Sequence, residues 1–188
     1  MTVDNQLIEQ IEEARARTLD DARPGVVDKI HASDRLTARE RITLLFDESS
    51  FIEYGALAGA TTQPDDEHYA DGLVAGVGMI AGQSVVAASY DSSVFAGTQS
   101  DRNHRKIAKL LYLAVEHRWP FVCFVEGAGA RPDDPLPPPP IAVSPRGRFE
   151  LYDGLAEMNG WAPTVAVVTG NAVDGHAAIA MSVSYTHL

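Results

Sequence analysis

The stretch that decides the fold is Phe121-Val-Cys-Phe-Val-Glu-Gly-Ala-Gly-Ala-Arg131. Five apolar residues, Phe121 to Val125, run without a break and then give way to a turn of small residues. An uninterrupted apolar run this short reads as a strand buried on both faces. The glycines after it let the backbone turn tightly and leave its N–H groups bare. A second copy of the pattern lies downstream: Thr164 to Thr169 is apolar apart from its ends, and Gly170 to Gly175 is a second small-residue turn. Turns of this kind can hold a phosphate or a developing oxyanion, and they can equally be plain strand-to-helix connections.

Between and around these strands the periodicity alternates. Leu73 to Ile80 and Ser84 to Ser89 are strands separated by Ala81-Gly82-Gln83, a hairpin signal. Asp91 to Ser100 is a polar loop, and a helix follows from about Asp101 to Arg118. Ile107, Leu110, Leu111, Ala114 and Val115 share one face of that helix at about 100° per residue, with Arg102, Arg105, Lys106 and Lys109 opposite. Arg102, Arg105 and Lys109 are read as lacking an acidic neighbour one turn away. Such a face is commonly just solvated, but in an acidic chain it is also a candidate for phosphate. Trp119-Pro120 ends the helix. Pro132 to Pro145 holds seven prolines and reads as a loop. Arg148 to Gly160 and Ala177 to Met181 are expected to be helical. The succession predicts an α/β domain.

The N-terminal part is different in character. Leu7, Ile8, Ile11 and Ala14 make a thin apolar stripe on a first helix, which Pro24-Gly25 is expected to break. Thr37 and Glu40 have the spacing of a capping box and begin a second helix. Residues 1–50 are therefore read as a helical arm, 51–181 as an incomplete domain, and 182–188 as an atypical tail.

The 188 residues carry a formal net charge of -11 and are 45% apolar. That composition is globular, and the charge argues against nucleic acid or an anionic membrane as partner. There is no apolar run of membrane length and no signal-peptide core, so the expectation is a cytoplasmic protein. The single cysteine, Cys123, sits mid-strand and reads as core. The 6 histidines have no metal-ligand spacing, and G-x-S-x-G is absent. No metal is expected, and any catalysis would rest on backbone donors.

Arg35-Leu-Thr-Ala-Arg-Glu-Arg-Ile-Thr-Leu-Leu-Phe-Asp-Glu-Ser-Ser-Phe-Ile-Glu53, followed by Asp71-Gly72-Leu-Val-Ala-Gly76-Val-Gly78, Phe95-Ala96-Gly97 and Glu126-Gly-Ala-Gly-Ala-Arg131-Pro-Asp133, resembles the biotin-dependent acyl-CoA carboxyltransferases, the β-subunit family of acetyl- and propionyl-CoA carboxylases. The resemblance covers about Arg35 to Ala180. It implies a crotonase-like (ClpP/crotonase) fold of ββα units and transfer of a carboxyl group from carboxybiotin to the α-carbon of an acyl-CoA, as in fatty acid metabolism. By the same match, the backbone N–H groups of Ala128 and Gly129 are the oxyanion hole, Ala128 standing where the family has glycine. Phe95, Ala96 and Gly97 fall at the CoA channel, and Arg131 braces the turn. Arg105, Lys106 and Lys109 could meet the CoA phosphates, and Gly175 and His176 lie in the second turn.

The implied partners are acyl-CoA, a biotin carboxyl carrier, a biotin carboxylase component and further copies of the chain. The family continues through a second crotonase-like domain that completes the site, so the chain alone is expected to be inactive. Two other readings stay open. One is a crotonase-like hydratase or decarboxylase using Glu126; the other is a CoA-binding fragment without turnover.

Overall fold

Val, Ile and Ala alternate with glycine from Leu73 to Ile80, and this half of the sheet is built on that run. The computed structural model describes residues 5–59, 69–132 and 150–188. Along these the helices are α1 (Asn5–Arg17), α2 (Pro24–His31), α3 (Ala38–Leu45), α4 (Asp101–His117), α5 (Leu151–Met158) and α6 (Gly175–Met181). The strands are β1 (Ile52–Glu53), β2 (Leu73–Ile80), β3 (Gln83–Tyr90), β4 (Phe121–Gly127), β5 (Thr164–Ala172) and β6 (Tyr185–His187), side by side in chain order in one 6-stranded sheet.

The hairpin between β2 and β3 closes through Ala81 and Gly82, with φ of 49° and 77°. Positive φ at both central residues matches the strand twist of a two-residue loop. Asp47 holds this turn from outside, accepting from Ala81 N at 3.1 Å and Gly82 N at 3.0 Å. From β3 onward the pairing is parallel, with α4 crossing from β3 to β4 and α6 from β5 to β6. Parallel strands need such crossovers, which is why the chain alternates strand and helix here.

The sheet has a core on each face. On one, Val86, Ala88, Phe121, Cys123 and Val125 pack beneath Ile107, Leu110 and Leu111 of α4 and Leu155 and Met158 of α5. Ser100 caps α4 and shares a reciprocal pair of hydrogen bonds with Asn103. Arg118, in the left-handed conformation, ends it. On the other face α3 lays Ala38, Ile42 and Phe46 against Val74, Val85 and Ala87. The capping box at Thr37 and Glu40 is formed as its spacing predicts.

Four details depart from the sequence reading. Pro24 does not merely break a helix; it opens α2 at the first helical position, where its missing N–H costs nothing. The stripe on α1 finds no cover among the described residues, for Leu7, Ile8 and Ile11 are all exposed. The helix α3, read as part of an arm outside the core, supplies core residues. Residues 185–187 pair with β5, Val165 opposite Tyr185, so the last segment adds a strand to the sheet. The proline-rich stretch after Pro132, including Asp133, lies outside the described residues, as do Arg148 and Phe149.

Candidate functional site at the ends of the parallel strands

The strands β3, β4 and β5 run in parallel and finish at one edge of the sheet, at Tyr90, Gly127 and Ala172. The N-termini of α4 and α6 stand behind them. Ligands of open parallel sheets bind at this edge, where loops are free of the ladder and helix N-termini point.

Four backbone hydrogen bonds lock the first turn between its neighbours. Ala128 N donates to Ala96 O at 3.1 Å and Gln99 N to Gly129 O at 2.8 Å. Arg131 N donates to Gln99 O at 2.7 Å, and Val173 N to Gly127 O at 3.1 Å. The two small-residue turns recognised in the sequence are thus side by side. Of the expected oxyanion pair, the Ala128 N–H is turned onto Ala96, while the Gly129 N–H has no hydrogen-bond partner among the described residues. A side chain at Gly129 (φ 87°) would come within 3.0 Å of Asp174 Cβ.

Loop 95–97 is the companion of that turn. Phe95, Ala96 and Gly97 all have positive φ, 47°, 53° and 67°. A non-glycine residue in this region costs roughly 1–2 kcal/mol, so two in succession need support. Arg131 gives it. Its guanidinium lies 4.4 Å from the Phe95 ring centroid, and its Nε donates to Thr98 Oγ1 at 3.2 Å. Nη1 donates to Asp71 Oδ1 at 2.6 Å. Asp71 is itself left-handed and also accepts from Ser100 Oγ.

Glu126, one residue before the turn, is 2% exposed. Arg41 Nη2 donates to its Oε1 at 2.9 Å, and Arg35 donates to its Oε2 and to Thr169 O at 3.1 Å. Burial, with Arg35 close by, lowers the Arg41 pKa to about 10. Arg35 and Arg41 were missed as site residues, although both lie in the quoted motif. The one available signal was an acid ending an apolar strand, which demands a cation.

The basic face of α4 is narrower than expected. Lys106 is buried: its Nζ reaches Leu73 O and, at 3.5 Å, Gly55 O, and burial lowers its pKa to about 8. It sits about 100° from the centre of the apolar stripe, close enough for its stem to turn inward. Arg105 does have an acidic neighbour, Asp101, at 2.7 Å. Lys109 Nζ lies 5.2 Å from the Tyr112 ring centroid.

In the second turn, Gly175 O accepts from Tyr152 Oη at 3.4 Å. His176 is 0% exposed and meets the Tyr90 ring edge-on at 4.5 Å. Burial pushes its pKa below the usual histidine range. Cys123 is buried and free, and burial pushes its thiol up, away from nucleophilic use. Among the described residues no three His, Cys, Asp or Glu side chains gather as for a metal, and no helix is long and apolar enough to cross a membrane.

The sheet, its crossovers and the paired turns define a crotonase-like fold of the carboxyltransferase kind. A family model described as the carboxyl transferase domain matches residues 29–184, and the chain belongs to that family. It is 32% identical over 171 residues to the biotin-dependent acetyl-/propionyl-coenzyme A carboxylase beta5 subunit of Mycobacterium tuberculosis, covering 89% of this chain and 30% of that protein. It is 29% identical over 173 residues to the propionyl-CoA carboxylase beta chain of Cereibacter sphaeroides, covering 90% and 33%. The solved single-chain, multi-domain long-chain acyl-CoA carboxylase superposes with a TM-score of 0.84 at 37% identity, over 98% of this chain and 19% of that one. Transcarboxylase 12S superposes with 0.77 at 26% identity, over 99% and 36%. The chain thus spans 30% to 33% of the length of these two curated relatives.

Proposed function

We propose that the chain is the acyl-CoA-binding half of a carboxyltransferase that moves a carboxyl group from biotin to the α-carbon of an acyl-CoA. The reading is carried by the turn at the end of β4, whose Gly129 N–H stands without a partner among the described residues beside a loop braced by Arg131. That N–H would receive the thioester oxygen as negative charge develops on it. The Ala128 N–H would join it by exchanging Ala96 O for the substrate. Phe95, Ala96 and Gly97 would line the approach, with Arg105 and Lys109 towards the CoA phosphates.

Biotin, carried by a separate protein, is a co-substrate here and supplies the activated carboxyl group. The donor set of the turn fits such a partner. Both carboxylate oxygens of Glu126 are taken by guanidinium groups, so Glu126 does not stand free as a base. The same fact weighs against a hydratase or decarboxylase working through Glu126. Residues beyond this half would complete the site across an oligomer, so turnover by the 188-residue chain alone should be negligible.

Calorimetric titration of the folded chain with acetyl-CoA tests this. Binding that weakens about tenfold when Arg105 and Lys109 are both changed to Glu supports a preformed half-site with the phosphates on α4. An absence of heat from a chain shown to be folded would remove the half-site reading.

A further inference from the structure

Gly97, Gly127 and His176 form a stack in which each leaves room for the next. A Cβ on Gly97 would stand 2.9 Å from Glu126 O and 3.0 Å from Gly127 Cα. A Cβ on Gly127 would run into Gly97 O on one side and stand 2.6 Å from His176 Nε2 on the other. The imidazole therefore rests directly on the peptide backbone of the turn. Behind it lies the Tyr90 ring, at 4.5 Å and 74°. The ring nitrogens face the carbonyls of Val173 and Gly97 without making an aligned hydrogen bond among the described residues.

We infer that His176 is a positioning residue: its ring backs Gly127 and holds the Gly127–Gly129 turn against loop 95–97. The backbone bonds Ala128 N to Ala96 O and Val173 N to Gly127 O clamp the turn at its two edges, and the ring packs against Gly127. An apolar ring of similar size would fill the space and leave the buried Gly97 carbonyl facing hydrocarbon, which is unfavourable, whereas Val173 O already accepts from His176 N at 3.1 Å. An imidazole satisfies the volume and offers a polar edge.

The groups facing His176 are Tyr90 from β3, His104 from α4 and Asp174 at the start of α6, with Tyr152 of α5 next to Asp174. His104 and Asp174 oppose one another in effect, and burial dominates both, so the neutral ring is the packed form. The unfolded value of 6.5 lies above the folded one. The stabilising contribution of the neutral ring is thus complete above 6.5 and is lost as pH falls through the lower, folded value.

This inference rests on the acyl-CoA reading only for its ligand. The test uses the 15N-labelled 188-residue chain, titrated by NMR from pH 7.5 to 5, with acetyl-CoA affinity measured over the same range. The expected result is that the amides of Gly97, Gly127 and Gly129 titrate together with the His176 ring, midpoint below 6.5, while acetyl-CoA binding weakens about tenfold. His176→Asn should abolish both changes, and His104→Asn should abolish neither. Amides that titrate unchanged in His176→Asn, or that respond to His104→Asn instead, overturn the positioning role. If the wild type binds no acetyl-CoA but the amides follow the ring, the acyl-CoA reading fails and the positioning role stands. If the asparagine variant does not fold, the wild-type titration decides alone: amides that stay fixed while the ring titrates overturn the proposal.

Discussion

Arg131 Nη1 and Asp71 Oδ1 lie 2.6 Å apart with their side chains 5% and 1% exposed, so the ion pair that joins the start of β2 to the turn after β4 is buried. The same guanidinium covers the Phe95 ring. One side chain thus connects three segments that are far apart in sequence. Removing one partner of a buried pair leaves an uncompensated charge and costs about 3–5 kcal/mol. Arg131→Ala should lower the unfolding midpoint accordingly in a thermal melt. Asp71→Asn combined with Arg131→Met should recover part of that loss, since no charge is then stranded.

Glu126 between Arg41 and Arg35 gives a second prediction. Glu126→Ala strands the Arg41 guanidinium, which is 5% exposed at its side chain, and should cost about 3 kcal/mol or more in denaturant unfolding. Arg35→Ala should cost less, because that side chain is 37% exposed and water can replace part of the contact. Equal losses for the two would show that the carboxylate is not held mainly by the buried arginine.

Lys106 predicts a pH effect. Its folded pKa, about 8, lies below the unfolded value of 10.5. Between these the unfolded chain binds the extra proton, so stability gains with rising pH across this window. Below about 8 the lysine is charged in both states and its contribution is flat. Lys106→Met should lose this part of the rise between pH 8 and 10.5. Chemical unfolding of both proteins at several pH values measures the difference.

Gly127→Ala should be the most damaging single methyl in the site. The added Cβ meets the Gly97 carbonyl and His176 Nε2, neither of which is a flexible chain end. Overpacking of this kind costs about 1–3 kcal/mol. Gly82→Ala is the control for added bulk, since nothing lies within 4 Å of its Cβ position. Its cost should come from the left-handed turn alone, and acetyl-CoA binding should survive it while Gly127→Ala abolishes it.

Much of the fold was legible because local periodicity and local chemistry point the same way. The apolar stripe from Ile107 to Val115 specified α4 and its buried face, and each of those residues is buried. Thr37 with Glu40, and Ala81 with Gly82, placed a helix start and a hairpin from a few residues each. The two turns were legible as turns because glycine reports where backbone must bend. The motif order then fixed the family.

The chain's own sequence determined which segments become strand, helix and turn, since these depend on the spacing of apolar residues along the chain. Only the tertiary structure decided which charges face inward. Lys106 reads as one of four surface cations, yet it turns to Leu73 O and Gly55 O. Arg35 and Arg41 read as helix-arm residues, yet they meet Glu126 across separations of 91 and 85 residues. The Ala128 N–H reads as an open donor, yet it is spent on Ala96. A long side chain or a bare N–H takes whichever partner the packed neighbours present. That choice is an electrostatic one made between distant segments, and no local pattern records it.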